Sequence, residues 1–205
     1  HTSVYNKTAE YDANKKYLIV IRNPIKRFIS AFNLRYYQVV HSKSQEDRFH
    51  NEKNLLTEYD NVDKLCEGLQ SNPNLINGEN DSGNYIYLLK EDINYHLKNL
   101  INVCPKEQIH GVIFHDTATE DLKDILGIDL TEESESENLD YKYDKDIKNE
   151  SYEILKEYLK EDFDIIDEMF NKGWISEEQH TLSNSTTDVI ETEDESDNKK
   201  KKKSQ

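Results

Sequence analysis

Arg22 and Ser30 are the residues of this sequence best suited to binding an anion. They lie eight positions apart in the stretch IRNPIKRFISAF, and Asn23 and Pro24 directly follow the arginine. A guanidinium forms charge-assisted hydrogen bonds to phosphate oxygens, and a hydroxyl adds another donor. Asn is a favoured helix N-cap and Pro a favoured first helical residue, so a helix should begin here and add the positive potential of its N-terminus. These groups together predict a phosphate site.

The charge distribution around this pair supports an anionic ligand. The chain has 42 acidic and 26 basic residues and a formal net charge of -16, yet no Asp or Glu occurs between Ala13 and Gln45. The basic residues of that window are Lys15, Lys16, Arg22, Lys26, Arg27, Arg35 and Lys43. Arg27 is a further candidate contact, although a salt bridge to the acidic remainder explains it equally well. The overall negative charge argues against a nucleic-acid partner, because most of the chain would repel phosphates.

Two apolar runs predict the strands that would position the site. YLIVI, at 17–21, is continuous and rich in β-branched residues, which is typical of a strand buried on both faces of a parallel sheet. QIHGVIF, at 108–114, predicts a second buried strand. The helix after Asn23 repeats apolar residues with the 3.6-residue period, and its predicted polar side carries Lys26, Arg27, Ser30 and Asn33. Ligands bind beyond the carboxyl ends of strands in open parallel sheets, and Arg22 lies at such an end.

The rest of the chain is predicted to be mostly helical. The pattern indicates one or two short helices over 55–70, a loop over 72–84, a helical period over 85–104, a helix from Thr117 or Thr119 to Gly127, an acidic loop at 131–140, and one long or two abutting helices over 147–171. This order predicts an α/β fold with a parallel sheet. We expect residues 1–180 to form the domain and 181–205 to be a disordered acidic and lysine-rich tail.

The same residues resemble the 3′-phosphate-binding motif of sulfotransferases that use 3′-phosphoadenosine-5′-phosphosulfate (PAPS). In that family a strand ends in R-[DN]-P, and the next helix carries R-x-x-S-x-[FY]. The positions match Arg22 and Ser30, which the resemblance implies hold the 3′-phosphate. GVIFHDTATEDLKDILGID and SYEILKEYLKEDFDII are similar to later elements of the family, so the resemblance covers roughly residues 1–172. It implies a P-loop-NTPase-like parallel sheet flanked by helices, with PAPS as the sulfate donor and no metal.

The resemblance also implies a reaction and its partners. A sulfuryl group would move from PAPS to a hydroxyl or amine of an acceptor, most often a carbohydrate. A general base must take the acceptor proton. Relatives often have a histidine ahead of the R-N-P strand, which makes His1 the candidate, whereas His96 and His115 are expected to be structural or surface residues. The family's lysine-containing loop for the 5′-phosphosulfate is not seen, and we expect it, with its strand, to precede His1.

Two other classes of function stay open from the sequence. A non-catalytic anion-binding or nucleotide-binding module would keep Arg22 and Ser30, and a nucleotide kinase would need a G-x-x-x-x-G-K-[ST] loop ahead of residue 1. No run of about 18 apolar residues occurs, so no membrane span is expected. Cys66 and Cys104 predict neither a disulfide framework nor a metal site. The compartment is open: the cytoplasm for a prokaryotic or viral protein, the Golgi lumen for a eukaryotic glycan sulfotransferase with an upstream anchor.

Overall fold

The computed structural model describes residues 11–46, 48, 51–76, 85–129, 146–185 and 189–190. The elements of the first half are β1 (Tyr17–Ile21), α1 (Pro24–Tyr36) with a π-helical turn (Tyr37–His41), α2 (Glu52–Glu58), α3 (Val62–Ser71) and α4 (Ile93–Val103). Those of the second half are β2 (Ile109–Phe114), α5 (Ala118–Leu126), β3 (Ile147–Lys148), α6 (Asn149–Tyr158), α7 (Lys160–Asn171), α8 (Glu177–Ser183) and β4 (Val189–Ile190). Short 3-10 turns flank β2. The protein is therefore mixed α/β, as predicted.

The described strands form two small parallel sheets. In one, β1 pairs with β2 so that Ile21 lies beside Phe114, and in the other β3 pairs with β4. Helices flank the sheets, which agrees with the predicted α/β fold class and its parallel sheet. Because the register of β1 and β2 aligns their carboxyl ends, whatever follows Ile21 and Phe114 is brought together.

The prediction that β1 is buried on both faces is wrong. Ile19 and Ile21 are buried in a core with α4 and α7, but Leu18 and Val20, on the opposite face, are 41% and 66% exposed. On that face α5 covers β2 instead, and a Cβ placed on Gly111 would lie only 2.6 Å from Ile125 Cγ2. The apolar run of β1 therefore predicted a strand correctly. It could not show which face of that strand the neighbouring helices cover.

Helix α1 begins as the sequence predicts. The Asn23 side chain accepts a hydrogen bond from the backbone N–H of Lys26 at 3.0 Å, and Pro24 is the first helical residue. The predicted polar side is only partly correct, because Asn33 is buried. Helices α2, α3 and α6 contribute to the core that receives Phe28 and Phe32, so α1 is enclosed on more sides than a surface helix.

Arg35 near the end of α1 is the largest fully buried side chain among the described residues. Its Nε and Nη2 donate to the two oxygens of Glu52 at 2.9 and 2.6 Å, and its Nη1 donates to Gln38 and Gln45. The backbone N–H of Tyr87 donates to Glu52 at 2.8 Å. A buried charge pair is tolerated only when its hydrogen-bonding groups are satisfied in this way. The pair therefore joins α1, α2 and the segment at Tyr87.

The remaining elements refine the predictions. The sequence 55–70 forms two helices, and 147–171 contains the abutting pair α6 and α7. Of the helical period at 85–104, only Ile93–Val103 is a helix, because Asp92 caps it by accepting from the N–H of Tyr95. The predicted acidic loop at 131–140 lies outside the described residues. Helix α8 continues to Ser183, three residues beyond the predicted domain boundary, and β4 lies further still.

Candidate phosphate site

The carboxyl ends of β1 and β2 bring Arg22 beside the turn that follows Phe114. Arg22 comes directly after Ile21, and the 3-10 turn His115–Thr117 comes directly after Phe114. The Nε of Arg22 lies 3.9 Å from Oδ1 of Asp116. This distance is too long for a hydrogen bond but short enough for electrostatic attraction. The sequence placed Arg22 at a strand end correctly and assigned no role to Asp116.

The Nε of Arg22 is buried and has no hydrogen-bond partner. Such an atom is uncommon, because nearly all buried polar groups in proteins are paired. The rest of the side chain reaches the surface, since it is 25% exposed. An arginine with an unpaired buried donor and a partly exposed guanidinium is suited to an anionic ligand that would complete its hydrogen bonds.

Lys26 is a second cation at this place, and the sequence did not single it out as a ligand contact. Its Nζ lies 3.2 Å from Oδ2 of Asp116, so Lys26 and Arg22 flank the two oxygens of one carboxylate. Burial alone would raise the pKa of Asp116, but the hydrogen bond from Lys26 and the positive charges of Lys26 and Arg22 outweigh it and hold that pKa below its ordinary value. One carboxylate against two cations leaves the cluster net positive.

Ser30 lies four residues after Lys26 on α1, and its residue is exposed. Residues four apart in a helix lie on the same face, so the hydroxyl of Ser30 and the ammonium of Lys26 point to the same side of α1. The arrangement therefore comprises a guanidinium, an ammonium and an accessible hydroxyl, all on the strand end and the helix that leaves it. Chemically it can bind and orient a phosphate group.

The family model described as "Sulfotransferase family" matches residues 1–167. The chain belongs to the sulfotransferase family. Comparisons with curated proteins and with solved structures found no match. The matched residues include β1, α1 and the turn after β2, so the whole phosphate-site arrangement falls inside the sulfotransferase match.

Arg27 of this sulfotransferase points away from Lys26 and Asp116. Its Nη2 donates to the carbonyl of Leu88 at 3.2 Å and to the carbonyl of Glu91. Burial lowers the pKa of Arg27, and the nearby carboxylates of Asp162 and Asp92 offset part of that shift. These contacts attach α1 to the segment before α4. The hydrogen bonds described for Arg27 go to backbone carbonyls, with the Asp162 and Asp92 carboxylates nearby, and its contact with a cofactor stays a prediction.

Helix α8 holds both strand ends of this sulfotransferase, although it lies beyond the matched residues. Asn23 Nδ2 donates to the carbonyl of Ser183 at 2.7 Å. Gln179 Nε2 donates to Asp121 Oδ2 and to the carbonyl of Val112, both at 3.1 Å. Asp121 Oδ2 also accepts from the backbone N–H of Phe114 at 2.6 Å, which fixes the turn carrying Asp116. The sequence identified Asn23 as a helix N-cap and missed these long-range bonds.

One of the described histidines borders the site. His115 is exposed, and its Nδ1 lies 3.4 Å from Oδ1 of Asp116, so this predicted surface residue borders the cluster. His96 lies elsewhere, on α4, where burial followed by the charge of Arg27 lowers its pKa. His1, the candidate base, lies outside the described residues. No general base is therefore assigned within the described part of the chain.

The described residues form neither a metal-binding cluster nor a membrane-spanning helix. No group of three or more His, Cys, Asp or Glu side chains among them is arranged to hold a metal ion. None of the helices in the described ranges is long and apolar enough to span a bilayer. Cys66 and Cys104 are both buried and free.

Proposed function

We propose that this sulfotransferase binds PAPS and transfers its sulfuryl group to a hydroxyl or amine, with a carbohydrate as the acceptor. The donor supplies an activated sulfuryl group and leaves as 3′-phosphoadenosine 5′-phosphate. The observation that carries the proposal is the unpaired, buried Nε of Arg22 beside a second cation, at the carboxyl end of β1. The residues present fit a 3′-phosphate, since they offer charge, hydrogen-bond donors and an exposed position.

The chain's own groups would have separate tasks in this reaction. Arg22 would form the charge-assisted hydrogen bonds to the 3′-phosphate, and Ser30 would donate its hydroxyl to the same group. Lys26 would neutralise part of the phosphate charge from the adjacent turn of α1. Positioning is the main contribution such contacts make, since correct placement of a donor removes much of the entropic barrier to transfer. Arg27 is retained as a proposed contact and His1 as the proposed base.

Asp116 would hold the two cations in place before the nucleotide binds. Its lowered pKa keeps it ionised at neutral pH, so it stabilises Arg22 and Lys26 without forming a close hydrogen bond to the arginine. A dianionic phosphate would compete with one carboxylate for the same cations. The site is therefore prepared for an anion of higher charge than a side-chain carboxylate.

The experiment that tests the proposal compares two nucleotides that differ in one phosphate. Titration calorimetry of the chain should show tighter binding of 3′-phosphoadenosine 5′-phosphate than of 5′-AMP, because only the former carries the 3′-phosphate. Equal affinities would contradict the assignment of Arg22 and Ser30. Transfer from labelled PAPS to a panel of glycans would then test the reaction itself, in a version of the protein that also carries the expected lysine-containing loop. Selective nucleotide binding without transfer to any acceptor would favour the non-catalytic binding module.

A further inference from the structure

A large groove lies between α3, α4 and the α6–α7 pair, and the phosphate-site residues are not part of its lining. Its volume is about 1390 Å³. Three lysines line it, Lys90, Lys98 and Lys160. Six carboxylates also line it, namely Asp92, Glu150, Glu153, Glu157, Glu161 and Asp162. The groove therefore has an excess of negative charge and offers many hydrogen-bond acceptors.

Three of these carboxylates form a row on α6. Glu150, Glu153 and Glu157 are exposed and are spaced so that they lie on one side of the helix. No described lysine or arginine lies within ion-pair distance of any of them, although the charge of Glu157 acts on Lys160. Like charges at this spacing disfavour the helix slightly, so a cation bound along the row would relieve a repulsion. A row of carboxylates of this kind is suited to an extended ligand with several positive charges.

Asp162, which also lines the groove, provides an independent sign of a missing hydrogen-bond donor. Asp162 is only 1% exposed, and its Oδ1 accepts from the backbone N–H of Asn94 at 2.7 Å. Its Oδ2 is buried and has no hydrogen-bond partner. A buried carboxylate oxygen is costly when unpaired, so a donor that reaches the groove would gain from completing it.

The position of β4 indicates which donor can reach the groove. Ile190 of β4 lies beside Lys148 of β3 in parallel register, and β3 leads directly into α6. The chain at Ile190 is thus next to the start of the helix that carries the glutamate row. Five consecutive lysines follow at 199–203. Nine residues can span about 30 Å when extended, whereas Glu150 to Glu157 covers about 10 Å of helix.

We propose that the lysines at 199–203 bind in this groove as an intramolecular ligand of the α6 glutamate row. The charges are complementary, the tether is long enough, and tethering gives the lysines a high effective concentration at the groove. The acidic residues at 191–197 lie between Ile190 and the lysines in the sequence. The contact is electrostatic and weakens as salt is added.

Carbodiimide cross-linking of the full chain tests the contact directly. The reagent activates a carboxylate, and a lysine amine then attacks that carbonyl carbon to form an amide while the reagent leaves as a urea. The two residues together lose one water, so mass spectrometry can locate the amide. Cross-links should join lysines 199–203 to Glu150, Glu153 or Glu157, and their yield should fall at least fivefold in 0.5 M NaCl. Cross-links confined to residues 191–197, or to acids outside the groove, would overturn the proposal.

A competition experiment separates the tail from an outside ligand. The probe is the synthetic peptide NKKKKKSQ, and the variant is the 205-residue chain with all five lysines at 199–203 changed to Gln. The peptide should bind this variant at least tenfold more tightly than it binds the unmodified chain, because the lysines of the unmodified chain compete for the groove. Adding Glu150→Gln, Glu153→Gln and Glu157→Gln should abolish that gain. The matched control, Glu107→Gln, Glu120→Gln and Asp124→Asn, removes three exposed acids elsewhere and should leave it intact. Equal binding to the unmodified and lysine-free chains would overturn the proposal and point to a separate basic partner.

Discussion

Arg22 Nε and Asp116 Oδ1 lie 3.9 Å apart across the ends of two parallel strands, and the Nε has no hydrogen-bond partner. The attraction orients the guanidinium without saturating its donors. A phosphate that binds here would therefore contact an arginine whose orientation is already set and whose Nε can still donate a hydrogen bond.

Arg22→Ala should weaken the binding of 3′-phosphoadenosine 5′-phosphate by about 2 kcal/mol, or roughly 30-fold, because it removes charge-assisted hydrogen bonds. Titration calorimetry measures the change. Lys16→Ala, which removes an exposed cation of the same acid-free window, should have little effect and serves as the control. Circular dichroism of both variants should match the wild type. An Arg22→Ala variant that unfolds would show that the arginine is structural.

Ser30→Ala should reduce affinity for 3′-phosphoadenosine 5′-phosphate by about 1 kcal/mol, the usual loss for one hydrogen bond. The affinity for 5′-AMP should not change, because that nucleotide lacks the phosphate in question. Calorimetry with both nucleotides gives the comparison, and Ser71→Ala on α3 is the control. Equal losses for the two nucleotides would place Ser30 outside the 3′-phosphate site.

Asp116→Asn should tighten binding of the 3′-phosphorylated nucleotide about fivefold, equivalent to roughly 1 kcal/mol for a partly exposed charge. The lowered pKa of Asp116 means that the wild-type carboxylate is ionised at pH 7 and competes with the ligand. Binding measured at pH 7 tests this. Weaker binding would instead show that orienting Arg22 matters more than competing with the phosphate.

Glu52→Ala should destabilise the fold by about 3 to 5 kcal/mol, since it leaves the Arg35 guanidinium buried without its carboxylate. Urea unfolding provides the measurement, and Glu58→Ala, an exposed position on the same helix, is the matched control. The double variant Arg35→Met/Glu52→Met should recover a large part of the loss, because it removes both charges together. A double variant as unstable as the single one would contradict this account.

Asp162 should give the fold an unusual pH dependence. Burial and then the charge of Asp92 raise the pKa of Asp162 to about 7, well above that of an unfolded Asp. The folded state therefore binds more protons than the unfolded state between about pH 4 and about pH 7, and this group's contribution to stability falls as pH rises through that range. Urea unfolding of wild type and Asp162→Asn should show the wild type losing stability relative to the variant over that window. The control Asp164→Asn, an exposed carboxyl beside Lys160, should parallel the wild type.

Local signals in the sequence predicted the local parts of this fold. The Asn23 cap, the helix start at Pro24 and the left-handed Gly127 that ends α5 each depend on neighbouring residues, and all are observed. The parallel sheet was also predicted from the order of the elements. The exposure of Val20 was not, because it depends on which helix covers the far face of the sheet.

The partners of individual cations could not be predicted in the same way. Lys26 and Arg27 are adjacent and both basic, yet one meets Asp116 and the other the carbonyls of Leu88 and Glu91. Arg35 is as basic as either and is fully buried. A one-residue step along a helix turns a side chain by about 100°, so tertiary packing decides which cation faces a ligand. The sequence could identify the basic window but could not show which of its cations face a ligand and which form internal contacts.

The parallel pairing of β1 and β2 has a consequence for how the protein reaches its native state. Lys26 and Asp116 are 90 positions apart in the chain, and no hairpin can bring them together. Contacts between distant positions form slowly, because the intervening chain must be ordered or looped out first. Helices such as α3 and α4 can form early, because their hydrogen bonds join residues close in the sequence. The site is complete only after β1 and β2 have paired. Nucleotide binding during refolding would therefore report when this long-range contact forms.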